Sequence, residues 1–304
     1  MTTRLIGGDW GTSNLRVFRY VEGGEVAEVR TAPTGVMAVA AGGFEAALKA
    51  LVADWLEGGA PVLLCGMVGS RQGWIEAPYA ACPADMPAVT AKAVRAPCDF
   101  AEVHILPGLS VVHPDGPHDV LRGEETQIFG ALDPDRRAQL IVTPGTHSKW
   151  AVAGEGRVSG FSTYMTGELF AVLKAHSILG RLMEGEAHDA DAFALGVRRA
   201  KADPALSRLL FSVRAEGLFD AIAPTALAAY LSGLLIGAEV TSGLAAASAA
   251  EVAGGVTLIG EPALTELYGQ ALAIAGATDV NRVSGEAAVG AGLWRLAGAL
   301  GLIR

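Results

Sequence analysis

The chain has 304 residues, of which 51% are hydrophobic and 39 are glycines, and its formal net charge at pH 7 is −9. This length is enough for two domains of roughly 120 to 180 residues that each bury a core. The hydrophobic content excludes a disordered chain, and the acidic charge argues against a nucleic-acid partner, whose binding would need clustered lysine and arginine.

Cysteine usage and the first residues indicate the compartment. Cys65, Cys82 and Cys98 are odd in number and lack the spacing of a disulfide framework or a zinc site. The segment 1–4 leads directly into the first predicted strand, with no signal-peptide pattern. We therefore expect a cytoplasmic protein.

Residues 4–20 predict two β-strands joined by a tight turn. Asp9 ends the apolar run of the first strand, and the turn that follows offers backbone N–H groups and hydroxyls to a polyphosphate. These donors are Gly11, Thr12, Ser13 and Asn14. Since Mg²⁺ prefers one or two carboxylates plus phosphate oxygens, Asp9 is predicted to hold Mg²⁺ through water. The alternative is an ordinary hairpin with a solvated aspartate at its turn.

A third strand (residues 26–31), a helix (43–57) and a buried strand (61–65) follow, an order typical of one ribonuclease-H-like lobe. The loop of residues 66–74 comes directly after the buried strand, and ligands in open α/β sheets gather beyond the carboxyl ends of strands. We therefore predict a substrate loop here. Its candidate contacts are Ser70, Arg71, Gln72 and Trp74.

Residues 113–120 contain two prolines and a glycine and are predicted to link two lobes, 1–117 and 118–304. A helix is predicted to begin after Gly123, with Glu124 and Glu125 in its first turn. The helix dipole favours ionised carboxylates there, by ~0.3 to 1 kcal/mol. An ionised carboxylate can act as a base; the alternative is that both glutamates only cap the helix.

Residues 140–153 repeat the design of the first hairpin, with an apolar strand, a Gly-Thr-x-Ser turn and an aromatic-containing second strand. The pair resembles the sugar kinase, Hsp70 and actin superfamily, which implies an α/β fold of two ribonuclease-H-like lobes with an ATP cleft between them. Thr143 and Pro144 stand where many members carry an aspartate, so this turn offers donors without a metal ligand. The predicted donors are Gly145, Thr146, Ser148 and Lys149, and His147 contacts phosphate or substrate or is structural.

The C-terminal half contains a strongly apolar stretch, residues 226–250. Glu239, polar hydroxyl residues and two mid-helix glycines favour a buried core helix over a membrane span. A late strand ends at Gly260, and the superfamily resemblance implies an adenosine corner at Gly260 and Pro262. The last helix, residues 285–300, is rich in small residues and is expected to pack at the hinge.

Five segments occur in a fixed order along the chain. They are residues 9–16 (Asp-Trp-Gly-Thr-Ser-Asn-Leu-Arg), 66–74 (Gly-Met-Val-Gly-Ser-Arg-Gln-Gly-Trp), 122–127 (Arg-Gly-Glu-Glu-Thr-Gln), 143–150 (Thr-Pro-Gly-Thr-His-Ser-Lys-Trp) and 165–170 (Met-Thr-Gly-Glu-Leu-Phe). Together they resemble the 2-dehydro-3-deoxygalactonokinase family. The resemblance implies transfer of the ATP γ-phosphoryl group to the C6 hydroxyl of 2-dehydro-3-deoxy-D-galactonate, with ATP and Mg²⁺ as cofactors, as a step of galactonate degradation.

The resemblance also suggests roles for single residues. Glu125 is the first candidate for the base, with Glu124 a close rival. The substrate is a keto acid, and its carboxylate suits a guanidinium: Arg71 first, then Arg16 and Arg122. Trp74 either stacks on the substrate or anchors its loop.

Two other functions stay open at this point. One is a kinase of another small sugar or keto-deoxy sugar acid on the same fold. The other is a non-catalytic ATP-binding regulator, which has little room because a repressor would need a basic DNA-binding segment. The sequence leaves the epimer of the substrate and the oligomeric state undecided, with a homodimer as one option.

Overall fold

The structure is a computed structural model that describes residues 2–56, 58–185 and 188–303. The strands are β1 (Leu5–Trp10), β2 (Leu15–Tyr20), β3 (Val26–Ala32), β4 (Val62–Gly66), β5 (Ala80–Ala81), β6 (Ala84–Asp85), β7 (Val94–Ala96), β8 (Val103–Ile105), β9 (Leu109–Val112), β10 (His118–Leu121), β11 (Gln139–Thr143), β12 (Ser148–Gly154), β13 (Arg157–Tyr164), β14 (Val256–Ile259) and β15 (Val280–Val283). The helices are α1 (Phe44–Val52), α2 (Met86–Thr90), α3 (Glu124–Ala131), α4 (Thr166–His176), α5 (Ala190–Ala202), α6 (Leu206–Leu218), α7 (Leu227–Ala246), α8 (Ala249–Ala253), α9 (Pro262–Ala275) and α10 (Gly285–Leu300). The end of the predicted helix 43–57, Glu57, lies outside the described residues.

The chain divides into two compact units. Unit 1 comprises Met1–Arg137, Ala153–Phe161 and Val283–Arg304, and unit 2 comprises Ala138–Val152 and Ser162–Arg282. The segment predicted to link two lobes forms the turn and second strand of the β9–β10 hairpin within unit 1, because prolines and glycine suit a tight turn as well as a linker. The division into two ribonuclease-H-like lobes, 1–117 and 118–304, stays a prediction.

The main sheet of unit 1 has the strand order β3, β2, β1, β4, β8, β7. The first three strands are antiparallel neighbours, and β1 pairs with β4, and β4 with β8, in parallel. Every residue of β4 is buried, which explains its continuous apolar sequence. The predicted order of three strands, a helix and a fourth strand is confirmed.

Two close packings hold the first hairpin in unit 1. Trp10 at the end of β1 packs edge-on against Phe44 of α1, with ring centroids 5.3 Å apart, and its Nε1 donates to the Thr34 carbonyl at 2.7 Å. Gly35 lies against the turn of the hairpin, where a Cβ would come 2.3 Å from the Ser13 backbone. The turn after Asp9 is therefore held in place by the Trp10 side chain and by the backbone at Gly35.

Helix α10 packs tightly on α3, the helix that carries both candidate glutamates. At Gly292 of α10 a Cβ would lie 1.9 Å from the Thr126 carbonyl, and at Gly130 of α3 a Cβ would lie 1.9 Å from the Ala288 carbonyl. Arg295 Nη1 donates to the carbonyls of Phe129 and Leu132 at 2.9 and 2.8 Å. The C-terminal helix thus fixes α3 by backbone contact, while its predicted position at a hinge stays a prediction.

Replacing Gly292 by alanine should lower the free energy of unfolding by about 1 to 3 kcal/mol, because the added methyl group forces α3 and α10 apart. Thermal unfolding measures this change. Gly298→Ala is the matched control, since a Cβ at Gly298 meets nothing within 4 Å. Equal melting temperatures for the two variants would contradict the close packing of these helices.

Unit 2 is built around α7. Its sheet has the strand order β15, β14, β11, β12, and β11 pairs in parallel with β14. Helix α5 packs against α7 at glycine contacts; a Cβ at Gly233 would lie 2.1 Å from the Phe193 carbonyl. In length and mean hydropathy (1.4) α7 resembles a membrane span, but 72% of this stretch is buried inside the protein. The prediction of a buried helix is confirmed.

Candidate active site

The turn between β1 and β2 presents a row of backbone donors. The carbonyl oxygens of Gly11, Thr12 and Ser13 accept hydrogen bonds from the backbone of residues 35–37 at 3.0 to 3.3 Å. In a trans peptide the C=O and the following N–H point in opposite directions. The N–H groups of Thr12, Ser13 and Asn14 therefore point away from that loop, and these three residues are exposed. The geometry suits binding of phosphate oxygens.

Asp9 lies at the end of β1, opposite Arg16 in the register of the hairpin. Burial raises the pKa of Asp9 to about 6; Arg16 acts to lower it and Glu124 to raise it. A cation bound beside this carboxyl group would favour its ionised form and offset the effect of burial on its pKa. Within residues 2–56, 58–185 and 188–303 no group of three or more His, Cys, Asp or Glu side chains could hold a metal. The donor set thus fits Mg²⁺ shared with phosphate oxygens better than an all-protein cage.

Two glycines bring the start of α3 to the end of β4. Gly66 and Gly123 both have positive φ, 91° and 103°. A Cβ at Gly66 would lie 2.8 Å from the Trp10 carbonyl and 3.1 Å from Asp9 Oδ1, and one at Gly123 would lie 3.3 Å from the Gly66 Cα. Side chains at either position would separate the first turn of α3 from Asp9.

The two glutamates at the start of α3 differ in access. Glu125 is fully buried; its Oε2 accepts from the Gly123 N–H at 2.6 Å and its Oε1 from Thr126 Oγ1 at 2.9 Å. Burial, and to a lesser degree Glu124, raises the pKa of Glu125 to about 7. Glu124 is only half-buried, and its Oε2 accepts from the Arg122 N–H at 3.1 Å. Only Glu124 of this pair has surface that a substrate can reach.

The three candidate arginines have different surroundings. The Arg71 side chain is 87% exposed and pairs with Glu76 at 3.1 Å. Arg16 Nη1 lies 3.7 Å from a Glu286 oxygen. Arg122 donates one Nη2 bond to the Ala77 carbonyl at 2.8 Å, and its Cζ lies 4.5 Å from the centre of the Tyr79 ring.

The guanidinium of Arg122 also has unused hydrogen-bonding capacity. Its Nε and Nη1 are shielded from solvent and have no partner in the described part of the chain. Nη1 adjoins Gly69 of the substrate loop, 2.9 Å from where a Cβ would lie. Buried donors without a partner are costly, so this arrangement favours an anionic ligand at Arg122.

The other residues of the substrate loop divide into exposed and anchored ones. Gln72 is exposed, and its N–H donates to Ser70 Oγ at 3.3 Å. The Trp74 ring stacks on Phe44, with centroids 6.3 Å apart and an interplanar angle of 12°. Of the two roles that the sequence left open for Trp74, the packing favours an anchor for the loop.

In unit 2 the turn between β11 and β12 packs against the start of α4. The Glu168 N–H donates to the Thr146 carbonyl at 3.0 Å, and a Cβ at Gly167 would lie 2.4 Å from the Gly145 carbonyl. His147 Nε2 pairs with Glu168 Oε2. Thr146 is exposed, whereas two predicted phosphate contacts, Ser148 and Lys149, are buried.

A pocket of about 490 Å³ opens beside this turn. Its walls come from the turn, the start of α4, α7 and the β14–α9 corner, and they consist of Pro144, Gly145, Thr146, Thr166, Gly167, Phe170, Ser232, Leu235, Ile236, Glu261, Leu264 and Tyr268. This volume is typical of small-molecule sites. The predicted adenosine residues, Gly260 and Pro262, flank the wall residue Glu261.

Several of these wall residues could not be identified as site residues from the sequence. Phe170, Leu235, Ile236 and Leu264 are apolar residues of helices, and in sequence they look like ordinary core positions. Tyr268 is fully buried among apolar neighbours. The one available signal was the segment 165–170, which the family resemblance had singled out.

Comparison with known proteins identifies the family of this chain. The model of the 2-keto-3-deoxy-galactonokinase family matches residues 9–296. A curated 2-dehydro-3-deoxygalactonokinase from Escherichia coli K12 is 39% identical over 302 residues, 99% of this chain and 99% of the relative. A crystal structure from Sinorhizobium meliloti, provisionally assigned as a 2-dehydro-3-deoxygalactonokinase, has a TM-score of 0.89 at 39% identity and covers 97% of this chain and 98% of its own.

A more distant structure supports the fold alone. Component A of the (R)-2-hydroxyglutaryl-CoA dehydratase of Acidaminococcus fermentans has a TM-score of 0.52 at 11% identity, covering 97% of this chain and 98% of its own. The predicted fold class, the α/β architecture of the sugar kinase, Hsp70 and actin superfamily, is confirmed. The chain belongs to the 2-keto-3-deoxy-galactonokinase family.

Proposed function

We propose that this protein is an ATP-dependent kinase that phosphorylates the C6 hydroxyl of 2-dehydro-3-deoxy-D-galactonate, giving the 6-phosphate, in the galactonate degradation of the cytoplasm. The observation that carries the proposal is the family match over residues 9–296, which includes both phosphate turns and both glutamates of α3. Neither alternative function gains support from the relatives. A homodimer and the lack of nucleic-acid or membrane partners stay predictions.

Phosphoryl transfer depends on positioning and on neutralising charge, with little covalent work for the protein. In our proposal the turn of Gly11, Thr12, Ser13 and Asn14 binds phosphate oxygens through its outward N–H groups. In unit 2, Gly145 and Thr146 of the second turn offer phosphate contacts of their own, and the pocket beside them takes the adenosine, next to Gly260 and Pro262.

Asp9 is the residue that would hold Mg²⁺, through water. When bound, the ion would neutralise charge on the phosphate oxygens. The raised pKa of Asp9 and the donor set described above support this assignment.

We assign the base to Glu124. A general base must come within hydrogen-bond reach of the hydroxyl that it deprotonates. Both oxygens of Glu125 are engaged by Gly123 and Thr126 in the interior, whereas Glu124 is half-buried and electrostatically coupled to Asp9. The sequence favoured Glu125, and this order is reversed here because a buried, doubly bonded carboxylate lacks access to substrate.

We assign the substrate carboxylate to Arg122, whose Nε and Nη1 lack partners in the described part of the chain. Each of the two can donate a charge-assisted hydrogen bond to a carboxylate oxygen. The substrate loop covers Nη1 at Gly69, so the loop must shift when the keto acid binds to that donor.

Arg122→Met should raise KM for the keto acid by about 10- to 100-fold, the loss expected for a charge-assisted pair of about 1.5 to 3 kcal/mol. KM for ATP should change much less. Arg71→Met is the matched control and should leave both constants near wild type, because Arg71 is exposed and pairs with Glu76. A large KM effect at Arg71 and none at Arg122 would return the contact to the residue that the sequence favoured.

A coupled ADP-release assay tests the function as a whole. We expect turnover with 2-dehydro-3-deoxy-D-galactonate and much less with the gluconate epimer or simple hexoses. ADP release that is fastest with a hexose would overturn the substrate, and ATP binding without ADP release from any sugar acid would overturn the enzyme.

A further inference from the structure

Glu239 is a carboxylate within the most apolar helix of the protein. Its side chain on α7 is 3% exposed, between buried Ile236 and Val240. Burying a charged group is costly unless hydrogen bonds satisfy it. Trp150 Nε1 donates to Oε1 at 2.7 Å and the Tyr268 hydroxyl donates to Oε2 at 2.6 Å. The free-energy cost of burying this carboxylate indicates that its hydrogen bonds have a role in the fold or the site.

The hydrogen bonds around Glu239 continue to the second phosphate turn. Because an ionised carboxylate only accepts, the Tyr268 hydroxyl must use its proton on Glu239. Ser148 Oγ lies 2.8 Å from the Tyr268 oxygen and also hydrogen-bonds to Glu239, so its single proton goes to one of these two acceptors. Ser148 has no second proton, so its oxygen accepts from the Gly145 N–H, at 3.4 Å. In either case the hydrogen bonds run from the Gly145 N–H through Ser148 toward Glu239.

The same carboxylate also reaches the start of α4. Thr166, the first residue of α4, hydrogen-bonds to Glu239, and both Thr166 and Tyr268 line the 490 Å³ pocket. Burial raises the pKa of Glu239, and the hydroxyl and indole donors around it act in the opposite direction. One buried group thus connects the phosphate turn, α4 and α9, which form three walls of the pocket.

We propose that Glu239 is a positioning residue for nucleotide binding, which holds the Gly145–Thr146 turn through Tyr268 and Ser148. The inference rests on the proposed function, because it takes the pocket as the nucleotide site. It also changes the role of Ser148. The sequence predicted a direct phosphate contact there, whereas a Ser148 proton that is used on Tyr268 or Glu239 orients the turn from behind.

Two variants test the relay without removing bulk. Tyr268→Phe keeps the ring and removes the hydroxyl that bonds to both Ser148 and Glu239. Glu239→Gln keeps an acceptor for Trp150 but gives Tyr268 an amide donor, which reverses the direction of the relay. The control is Tyr230→Phe, a fully buried tyrosine of the same helix whose hydroxyl pairs with Ser212 at 2.7 Å and Arg199 at 2.5 Å, away from the pocket walls.

The measurements are the Kd for ADP and for a non-hydrolysable ATP analogue by calorimetry, KM for ATP and for the sugar acid, and the melting temperature. Tyr268→Phe and Glu239→Gln should raise both Kd values and KM for ATP by about 5- to 30-fold, as loss of a hydrogen bond to a charged group does. KM for the sugar acid should stay within twofold. Tyr230→Phe should lower the melting temperature to a similar extent and leave all nucleotide constants unchanged.

Each outcome decides between the proposals. Nucleotide constants that are unchanged in Tyr268→Phe, with a wild-type enzyme that binds ATP, overturn the positioning role and leave the function intact. Equal losses in Tyr268→Phe and Tyr230→Phe also overturn it, since they would reflect stability alone. A wild-type protein that binds no nucleotide overturns the proposed function itself, and the inference with it. If Glu239→Gln fails to fold, the nucleotide constants of Tyr268→Phe alone test the positioning role.

Discussion

Replacing Asp9 by asparagine is expected to lower kcat by a factor of about 10² or more, because it removes the protein's anchor for the cation that faces the developing phosphoryl charge. Steady-state kinetics at saturating ATP and sugar acid measure the effect. Cys65→Ala is the control, since it removes the thiol that donates to Asp9 Oδ1 at 4.0 Å and leaves the carboxylate in place. A kcat of Asp9→Asn within threefold of wild type would remove Asp9 from the mechanism.

The same variant should not be less stable than wild type at pH 7. Burial raises the pKa of Asp9 from 3.8 to about 6, so the folded state binds more protons than the unfolded chain between these values. Wild-type stability therefore falls as the pH rises through this window, in the absence of divalent cations. Asparagine stays neutral, so the unfolding free energy of the Asp9→Asn variant does not show this fall with rising pH. The variant thus separates loss of chemistry from loss of fold.

Local sequence patterns were sufficient for the elements that hold the site. The apolar run ending at Asp9 and the Gly-Thr-Ser-Asn turn predicted the first hairpin, because turn chemistry and strand alternation act over a few residues. The continuous apolar run of β4 gave a buried parallel strand for the same reason. The burial of α7 followed from its small residues and single acid.

Properties that depend on tertiary surroundings could not be predicted in this way. In sequence, Arg71 and Arg122 are two arginines near glycines, and only the folded chain exposes one to solvent and leaves the other with unpaired buried donors. Ser148 follows a phosphate-type turn, but its burial depends on Tyr268, 120 residues away along the chain. The pocket walls on α7 and α9 are set by which helix faces meet, and periodicity alone does not determine that.

The choice between Glu124 and Glu125 also depends on tertiary surroundings. The two residues are adjacent in a first helical turn, and only the folded chain determines which side chain is buried and which is accessible. Glu124→Gln is expected to lower kcat by about 10² to 10⁴ with ATP affinity nearly unchanged, as loss of a general base does. Glu125→Gln should cost much less. The amide oxygen of a glutamine at 125 can accept from the Gly123 N–H, and its NH₂ group can donate to Thr126 Oγ1, so the start of α3 is preserved.

Both variants can be compared in one experiment, with kcat, the Kd for ADP and the melting temperature measured for each. If Glu125→Gln is the inactive variant, with unchanged nucleotide affinity and stability, the base moves to Glu125 and α3 must open its first turn to expose it. If neither variant is impaired, catalysis relies on positioning and charge neutralisation, which a largely dissociative phosphoryl transfer tolerates. If Glu124→Gln alone is inactive, a half-buried carboxylate next to Asp9 performs the proton transfer, and the buried Glu125 serves to hold it at the start of the helix.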